Sequence, residues 1–186
     1  MTDYDMTHYD FREQLAMSIE RRGKPFEDII ASSIPGVVSV CKTDIAVDKT
    51  GIDYIATLRR GATIGIDLKV RAEGCSKFWK HGDELALEKW SVCPDLRCPD
   101  GKAGWTLDES KKTDYTLHSF DPCDSDTVYL LPFHLLRKSF VCNLKEWYRD
   151  YKHAWQSSGD WQSECVFVPV SIVLEAIKQS SVIRVD

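Results

Sequence analysis

Three charged residues within a mostly apolar stretch have the types and spacing that phosphodiester hydrolysis requires. Asp53 is followed, after 13 intervening residues, by Asp67, and Lys69 stands two positions further on. Hydrolysis of a phosphodiester needs a cation near the nonbridging oxygens, a positioned water and help for the leaving oxygen. Two carboxylates can hold Mg²⁺ or Mn²⁺, and a neighbouring lysine can hold the water or stabilise developing charge. These residues predict a metal-dependent phosphodiesterase, with a nuclease as the leading hypothesis.

Strand alternation decides where these side chains point. Residues 62–71 are typical of a strand, in which Ile64 and Ile66 share one face while Asp67 and Lys69 share the other. The apolar face sets the register, so Asp67 and Lys69 are expected side by side on the opposite face. Asp53 lies in the preceding predicted strand, where it alternates with Ile52 and Tyr54. The alternative interpretation is an exposed ion pair on a solvated strand, contributing about 0 to 1 kcal/mol.

Asp53 followed by Asp67-Leu68-Lys69 resembles the signature of the PD-(D/E)xK nuclease superfamily, which includes restriction endonucleases, Holliday junction resolvases and phage exonucleases. The resemblance implies an α/β, restriction-endonuclease-like core with a central mixed β-sheet flanked by helices, a Mg²⁺ or Mn²⁺ cofactor and a DNA substrate. Two positions depart from the usual pattern: Ile52 replaces proline before the first acid, and Asp67 replaces the commoner glutamate.

Members of this superfamily often add a glutamate from the helix before the sheet. Residues 23–27 are similar to that helix start in the Mrr-like and resolvase-like branches, which implies Glu27 as a further metal ligand and Glu20 as the reserve. Residues 101–105, Asp114-Tyr115 and residues 130–140 resemble outer strands and a following helix of phage and mobile-element branches. The resemblance therefore covers roughly residues 20–140 of one domain, with residues 141–186 as a helix-strand-helix extension.

Hydrophobic periodicity and turn residues predict the remaining elements. Ser171 is a predicted helix cap. Helices are expected near residues 10–23, 26–33, 134–140, 144–151 and 172–179, and strands near residues 37–41, 52–58, 62–71, 84–90, 114–120, 127–133 and 165–170.

Composition limits the classes of protein to which the chain can belong. The chain of 186 residues is 43% apolar and 28% charged, which suits a single compact domain. Its polar, acidic start and short apolar stretches do not resemble a signal peptide or a membrane span. Seven cysteines, an odd number without an export signal, favour reduced thiols. These features predict a cytoplasmic protein.

A net charge of -5 argues against passive polyanion binding, although local basic groups could still meet phosphate. Each basic group taken alone is typical of an ordinary solvated surface. The basic groups are Arg21, Arg22 and Lys24; Arg59 and Arg60; Lys111 and Lys112; and Arg137 and Lys138.

Three further sets of residues have both functional and plain structural interpretations. Glu84 and Glu88 could be accessory ligands if their strand adjoins Lys69, or ordinary edge-strand charges. Cys93 and Cys98 could bind zinc, or be loop thiols. Cys75, His118 and Cys123 are the further zinc ligands considered. The aromatic segment 146–155 could stack unpaired bases, but its helical stripe favours core packing.

A rival function belongs to a different class. The chain could be a catalytically inactive nuclease-like protein that binds or inhibits a host protein complex, as a phage or mobile-element factor would. The presence of Asp53, Asp67, Lys69 and Glu27 favours an enzyme with DNA as its partner, whereas the net negative charge suits a protein partner. Endonucleolytic cleavage is the working expectation, but the sequence leaves open exonucleolytic cleavage, the structure of the DNA, the pathway and homodimerisation.

Overall fold

Four α-helices and nine strands form from the residues that the computed structural model describes, which are 26–48, 50–71, 74–80, 82–121, 127–158 and 161–181. The helix predicted near residues 10–23 lies outside these ranges. The predictions for Glu20, for the basic residues Arg21, Arg22 and Lys24, and for Cys123 also fall outside them. None of the described helices is long and apolar enough to cross a membrane.

The helices are short except for one. They are α1 (Phe26–Ser33), α2 (Ile45–Asp48), α3 (Phe133–Asp150) and α4 (Val170–Ser181), with a 3₁₀ turn at Cys75–Phe78. The strands are β1 (Val37–Lys42), β2 (Tyr54–Leu58), β3 (Thr63–Val70), β4 (Glu84–Val92), β5 (Lys102–Ala103), β6 (Tyr115–Ser119), β7 (Val128–Pro132), β8 (His153–Ser158) and β9 (Trp161–Pro169).

The strands divide between two sheets. Sheet A has the order β1-β2-β3-β6-β7, in which β3 is central, antiparallel to β2 and parallel to β6. Sheet B has the order β5-β4-β9-β8 and is antiparallel throughout. The α/β class with a mixed sheet is therefore confirmed. β4 pairs with β5 and β9 in sheet B, so it is not a hydrogen-bonded neighbour of β3, the strand that carries Lys69.

The described residues form two compact units. Unit A takes its residues from 18–79 and 109–136 and contains sheet A, α1 and α2. Unit B takes its residues from 80–108 and 137–186 and contains sheet B and α4. Helix α3 is continuous, and it contributes its first four residues to unit A and the others to unit B.

The core of unit A lies on one face of sheet A. Phe26 and Ile30, one turn apart on α1, are fully buried against apolar residues of the sheet. Ile66 of β3 belongs to this core, and alternation therefore directs the side chain of Asp67 to the other face of β3. The sheet residues in this cluster are Tyr54, Ala56, Ile66 and Leu117.

The core of unit B comes from paired positions of β4 and β9. Leu85 is opposite Val168 and Leu87 is opposite Val166, and all four are buried. Trp147 is also buried, with its ring 6.0 Å from that of Phe140 along α3. Core packing is thus confirmed for this member of the predicted aromatic stripe.

Two local predictions in this part of the chain are wrong. Helix α4 begins at Val170, whose N–H donates to the carbonyl of Asp83 at 2.8 Å, so Ser171 is inside the helix rather than its cap. The C-terminal part also holds one strand more than predicted, because polar residues 153–158 form β8 along the edge of sheet B. Their composition lacks the apolar alternation that marks a half-buried strand.

Candidate active site

The central strand β3 carries two of the predicted site residues into the middle of sheet A. Asp67 lies opposite Thr116, and Lys69 lies opposite His118, across the parallel pairing with β6. Aligned positions on neighbouring strands share a face, so these four side chains belong to the same face of the sheet. Asp67 is only 4% exposed.

Asp53 is fixed opposite Asp67 by its own backbone. Asp53 lies one residue before Tyr54, which pairs with Ile66. The N–H of Asp53 donates to the carbonyl of Ile66 at 2.9 Å. On the other side its carbonyl accepts from the N–H of Thr43 at 2.8 Å. Both bonds are made by main-chain groups, so the position of Asp53 depends on the register of β1, β2 and β3.

The carboxyl of Asp53 reaches the backbone of β3. Its Oδ2 accepts from the N–H of Leu68 at 2.7 Å. This bond turns the carboxyl toward β3, on which Asp67 lies opposite Asp53 in the strand register. The predicted association of the two acids is therefore present in the structure.

Lys69 forms a close ion pair with Asp67. Its Nζ donates to Oδ1 of Asp67 at 2.8 Å and lies at the same distance from Oδ2. The contact with Oδ2 lacks hydrogen-bond geometry, and this buried oxygen accepts no hydrogen bond from a group in the described ranges. The side chain of Asp67 is 5% exposed and that of Lys69 28%. The alternative of an exposed pair on a solvated strand is therefore wrong, because Asp67 is buried.

The two acids affect each other's ionisation. Burial raises the pKa of Asp53 above its ordinary value, and its interaction with the neighbouring Asp67 carboxyl raises it further. The Leu68 N–H and the Lys69 ammonium act in the opposite direction on that pKa. Two carboxyl groups in contact are stabilised by a shared proton or by a cation between them, because their like charges otherwise repel.

His118 is a neutral neighbour of this group. It is buried, and its Nε2 lies 3.2 Å from Oγ1 of Thr116. Burial, with the nearby charges of Lys69 and Arg71, lowers the pKa of His118 to about 3. The sequence suggests this histidine only as a zinc ligand. Its place beside Lys69 follows from the parallel pairing of β3 with β6, which no local pattern reveals.

Asp114 has a supporting role at the start of β3. Its Oδ2 accepts from the N–H of Gly65 at 2.7 Å, and its own N–H donates to the carbonyl of Gly65 at 2.9 Å. The hydroxyl of Thr113 donates to the same carbonyl at 3.1 Å. These contacts hold the segment before β6 against the strand that carries Asp67. In the sequence, Asp114-Tyr115 stands out only as part of the family resemblance.

The other predicted acids are not gathered with this pair. Glu27 lies in the first turn of α1, which packs on the apolar face that carries Ile66. Across the described parts of the chain, no three or more His, Cys, Asp or Glu side chains form a group that could hold a metal ion. Asp53 and Asp67 are thus a two-acid group, and Glu27 does not complete it. Glu20 lies outside the described residues.

Glu84 and Glu88 have local partners within unit B. Oε1 of Glu84 accepts from the N–H of Lys80 at 3.0 Å. Oε2 of Glu88 accepts from the N–H of Trp105 at 2.8 Å. Each of the two carboxylates therefore holds a main-chain N–H of a segment next to β4.

The described cysteines of the predicted zinc site form no disulfide bonds. This holds for Cys75, Cys93 and Cys98, and they form no three-ligand group within the ranges that the structure describes. Cys93 is tied to β9 by its N–H, which donates to the carbonyl of Gln162 at 2.7 Å. Burial raises the pKa of its thiol, so the uncharged form is favoured.

Comparison with models of known protein families, with curated proteins and with solved structures finds no match to this chain.

Proposed function

We propose that this chain is a divalent-metal-dependent deoxyribonuclease that hydrolyses phosphodiester bonds, endonucleolytically, on a restriction-endonuclease-like core of the PD-(D/E)xK type. One observation carries the proposal: Asp67 and Lys69 form a close ion pair on the central strand of a mixed sheet, and Asp53 lies opposite Asp67, whose charge raises the pKa of Asp53. An acid pair of this kind is unfavourable for stability alone, and such groups concentrate at functional sites.

The donor set fits Mg²⁺ or Mn²⁺. Both ions prefer oxygen ligands, and Mg²⁺ is commonly held by one or two protein carboxylates, with water and substrate phosphate completing its shell. Asp53 and Asp67 would hold the ion. Oδ2 of Asp67 is buried and accepts no hydrogen bond from the described groups, and it would exchange its 2.8 Å contact with the Lys69 ammonium for the ion. The bound ion would supply charge neutralisation at the nonbridging oxygens and lower the pKa of a coordinated water.

The chain's own residues would position the water, stabilise developing charge and orient the metal ligands. Lys69, held 2.8 Å from Asp67, would position the attacking water or stabilise charge that develops on the phosphate. The Leu68 N–H orients the Asp53 carboxyl through the 2.7 Å bond between them.

Plasmid and branched DNA incubated with Mg²⁺ provide the direct test. The parent chain should cleave, while addition of EDTA or the substitution Asp67→Ala should reduce the rate by at least about 100-fold, as expected for loss of a major electrostatic contribution. Asp28→Ala is the matched control, because Asp28 is an exposed acid of the same unit, and it should cleave like the parent. Activity that survives both EDTA and Asp67→Ala would refute the mechanism.

A second candidate is a catalytically inactive nuclease-like protein that binds another protein. The net charge of -5 favours it, as does the lack of a third acid beside Asp53 and Asp67 in the described residues. Titration with Mg²⁺ or Mn²⁺ followed by calorimetry separates the candidates. Binding by the parent that is lost in the Asp53→Ala/Asp67→Ala double variant supports the enzyme, and no binding by the parent supports the protein-binding alternative.

A further inference from the structure

The side chain of Lys111 lies directly against the backbone of Gly51. If residue 51 carried a Cβ, that atom would be 2.5 Å from Cδ of Lys111, 3.4 Å from Cε and 3.3 Å from Nζ. Gly51 also has a φ of 83°, a conformation that disfavours other residues. The absence of a side chain at position 51 therefore leaves the space that the outer half of Lys111 occupies.

Main-chain hydrogen bonds hold the segment that contains Lys111 in place. The N–H of Lys112 donates to the carbonyl of Thr50 at 3.1 Å. Two residues later, Asp114 is bound to Gly65 through both its carboxyl and its N–H. Residues 111–114 are therefore anchored at one end to the turn before Asp53 and at the other to the strand that carries Asp67.

This anchoring places a cation at a short distance from the acid pair. Gly51 and Asp53 are two residues apart, and consecutive Cα atoms are 3.80 Å apart, so their Cα atoms are separated by no more than about 7.6 Å. Lys111 therefore packs on a residue that lies close in space to Asp53. Arg59 and Arg60, in contrast, lie at the far end of the β2–β3 hairpin from Asp53.

We infer that Lys111 binds a backbone phosphate of the DNA strand near the bond that is cleaved. The inference rests on the proposed nuclease function and adds a substrate-binding residue to it. An acidic protein needs a few well-placed cations to bind DNA, because each phosphate contact releases condensed counterions. Lys111 is suited to this role because its stem is packed on Gly51, so little conformational freedom remains to be lost when the ammonium contacts a phosphate.

The competing interpretation is that Lys111 merely covers Gly51, and suitable substitutions separate the two. Lys111→Met keeps an apolar stem over Gly51 and removes the charge, whereas Lys111→Arg keeps the charge. Lys112→Met is the matched control, because Lys112 is the adjacent, exposed lysine and its link to Thr50 is made by the backbone.

The experiment measures the Kd of a fluorescent 20-base-pair duplex at 50 to 200 mM KCl in EDTA, and KM for its cleavage in Mg²⁺. Lys111→Met should raise Kd at 150 mM salt by about fivefold and reduce the slope of log Kd against log salt by about 1, as loss of one phosphate contact requires. Its KM should rise in parallel. Lys111→Arg should remain within about twofold of the parent, and so should Lys112→Met.

The outcomes distinguish this inference from the proposed function. A parent chain that cleaves DNA, with the same Kd and salt slope in Lys111→Met as in Lys112→Met, overturns the role of Lys111 alone. A parent that neither binds nor cleaves DNA overturns the proposed function and the role of Lys111 with it. A fall in thermal stability without a change in salt slope assigns Lys111 to covering Gly51 and also overturns the inference.

Discussion

Asp53 is the residue at which the demands of folding and of the proposed chemistry conflict. Its carboxyl is partly buried beside that of Asp67, and burial is the main cause of its raised pKa. A raised carboxyl pKa means that the group adds stability below its unfolded pKa of about 3.8 and that this contribution is lost as pH rises through the folded pKa. At neutral pH, ionised Asp53 therefore lowers the free energy of unfolding.

Asp53→Asn should increase stability while it removes function. Asn retains an oxygen that can accept the Leu68 N–H, but it has no charge to oppose Asp67, so the urea midpoint at pH 7 in EDTA should rise above that of the parent. Each unit by which the native pKa is raised corresponds to about 1.4 kcal/mol. Cleavage of DNA in Mg²⁺ should fall with the same substitution. An equal or lower urea midpoint would contradict the conclusion that ionised Asp53 destabilises the fold.

Addition of Mg²⁺ provides the complementary control. An ion that binds only the folded chain stabilises it by about 2.7 kcal/mol when its concentration is 100 times Kd. The urea midpoint of the parent should therefore rise with Mg²⁺, while that of Asp53→Asn should rise much less. Asp28→Asn, which changes an exposed acid of the same unit, should respond like the parent.

At the scale of elements, the sequence pattern predicts strands well and their neighbours poorly. Alternation in β3 is sufficient to place Asp67 and Lys69 on one face, and the bounds of α1 agree with its prediction. The burial of Asp67 could not be predicted, because it depends on β6, which joins β3 from nearly 50 residues away. The pairing of β4 with β9 could not be predicted either, because strand order is set by long-range packing rather than by local periodicity.

The position of α1 leads to a prediction about Glu27. Because α1 packs on the face of sheet A opposite to the side chain of Asp67, we expect Glu27 to contribute less than the acid pair. Glu27→Gln should reduce the cleavage rate by less than about 10-fold, compared with at least about 100-fold for Asp67→Ala. Single-turnover rates in Mg²⁺ for these variants, with Asp28→Asn as the control on the same helix, would test the ranking. Equal losses for Glu27→Gln and Asp67→Ala would show that Glu27 is a full member of the site.

At the scale of the whole molecule, the buried His118 beside Lys69 contributes to the dependence of stability on pH. The pKa of His118 is about 3 in the folded chain, compared with an ordinary value of 6.5. Between these values the unfolded chain binds the extra proton, so the stability associated with neutral His118 is complete above pH 6.5 and is lost as pH falls toward 3. Asp53 acts in the opposite direction, because its raised pKa favours the protonated folded state at acid pH.

Urea unfolding of the parent from pH 8 to 4 should therefore show a fall in the free energy of unfolding, on the order of a few kcal/mol, that comes from His118. His118→Gln, which keeps a neutral hydrogen-bonding side chain beside Thr116, should have a shallower dependence over the same range. The exposed His134 makes a suitable control, and His134→Gln should retain the parent's dependence. If His118→Gln and the parent lose stability with the same slope below pH 6.5, the neutral histidine is not the origin of the acid sensitivity.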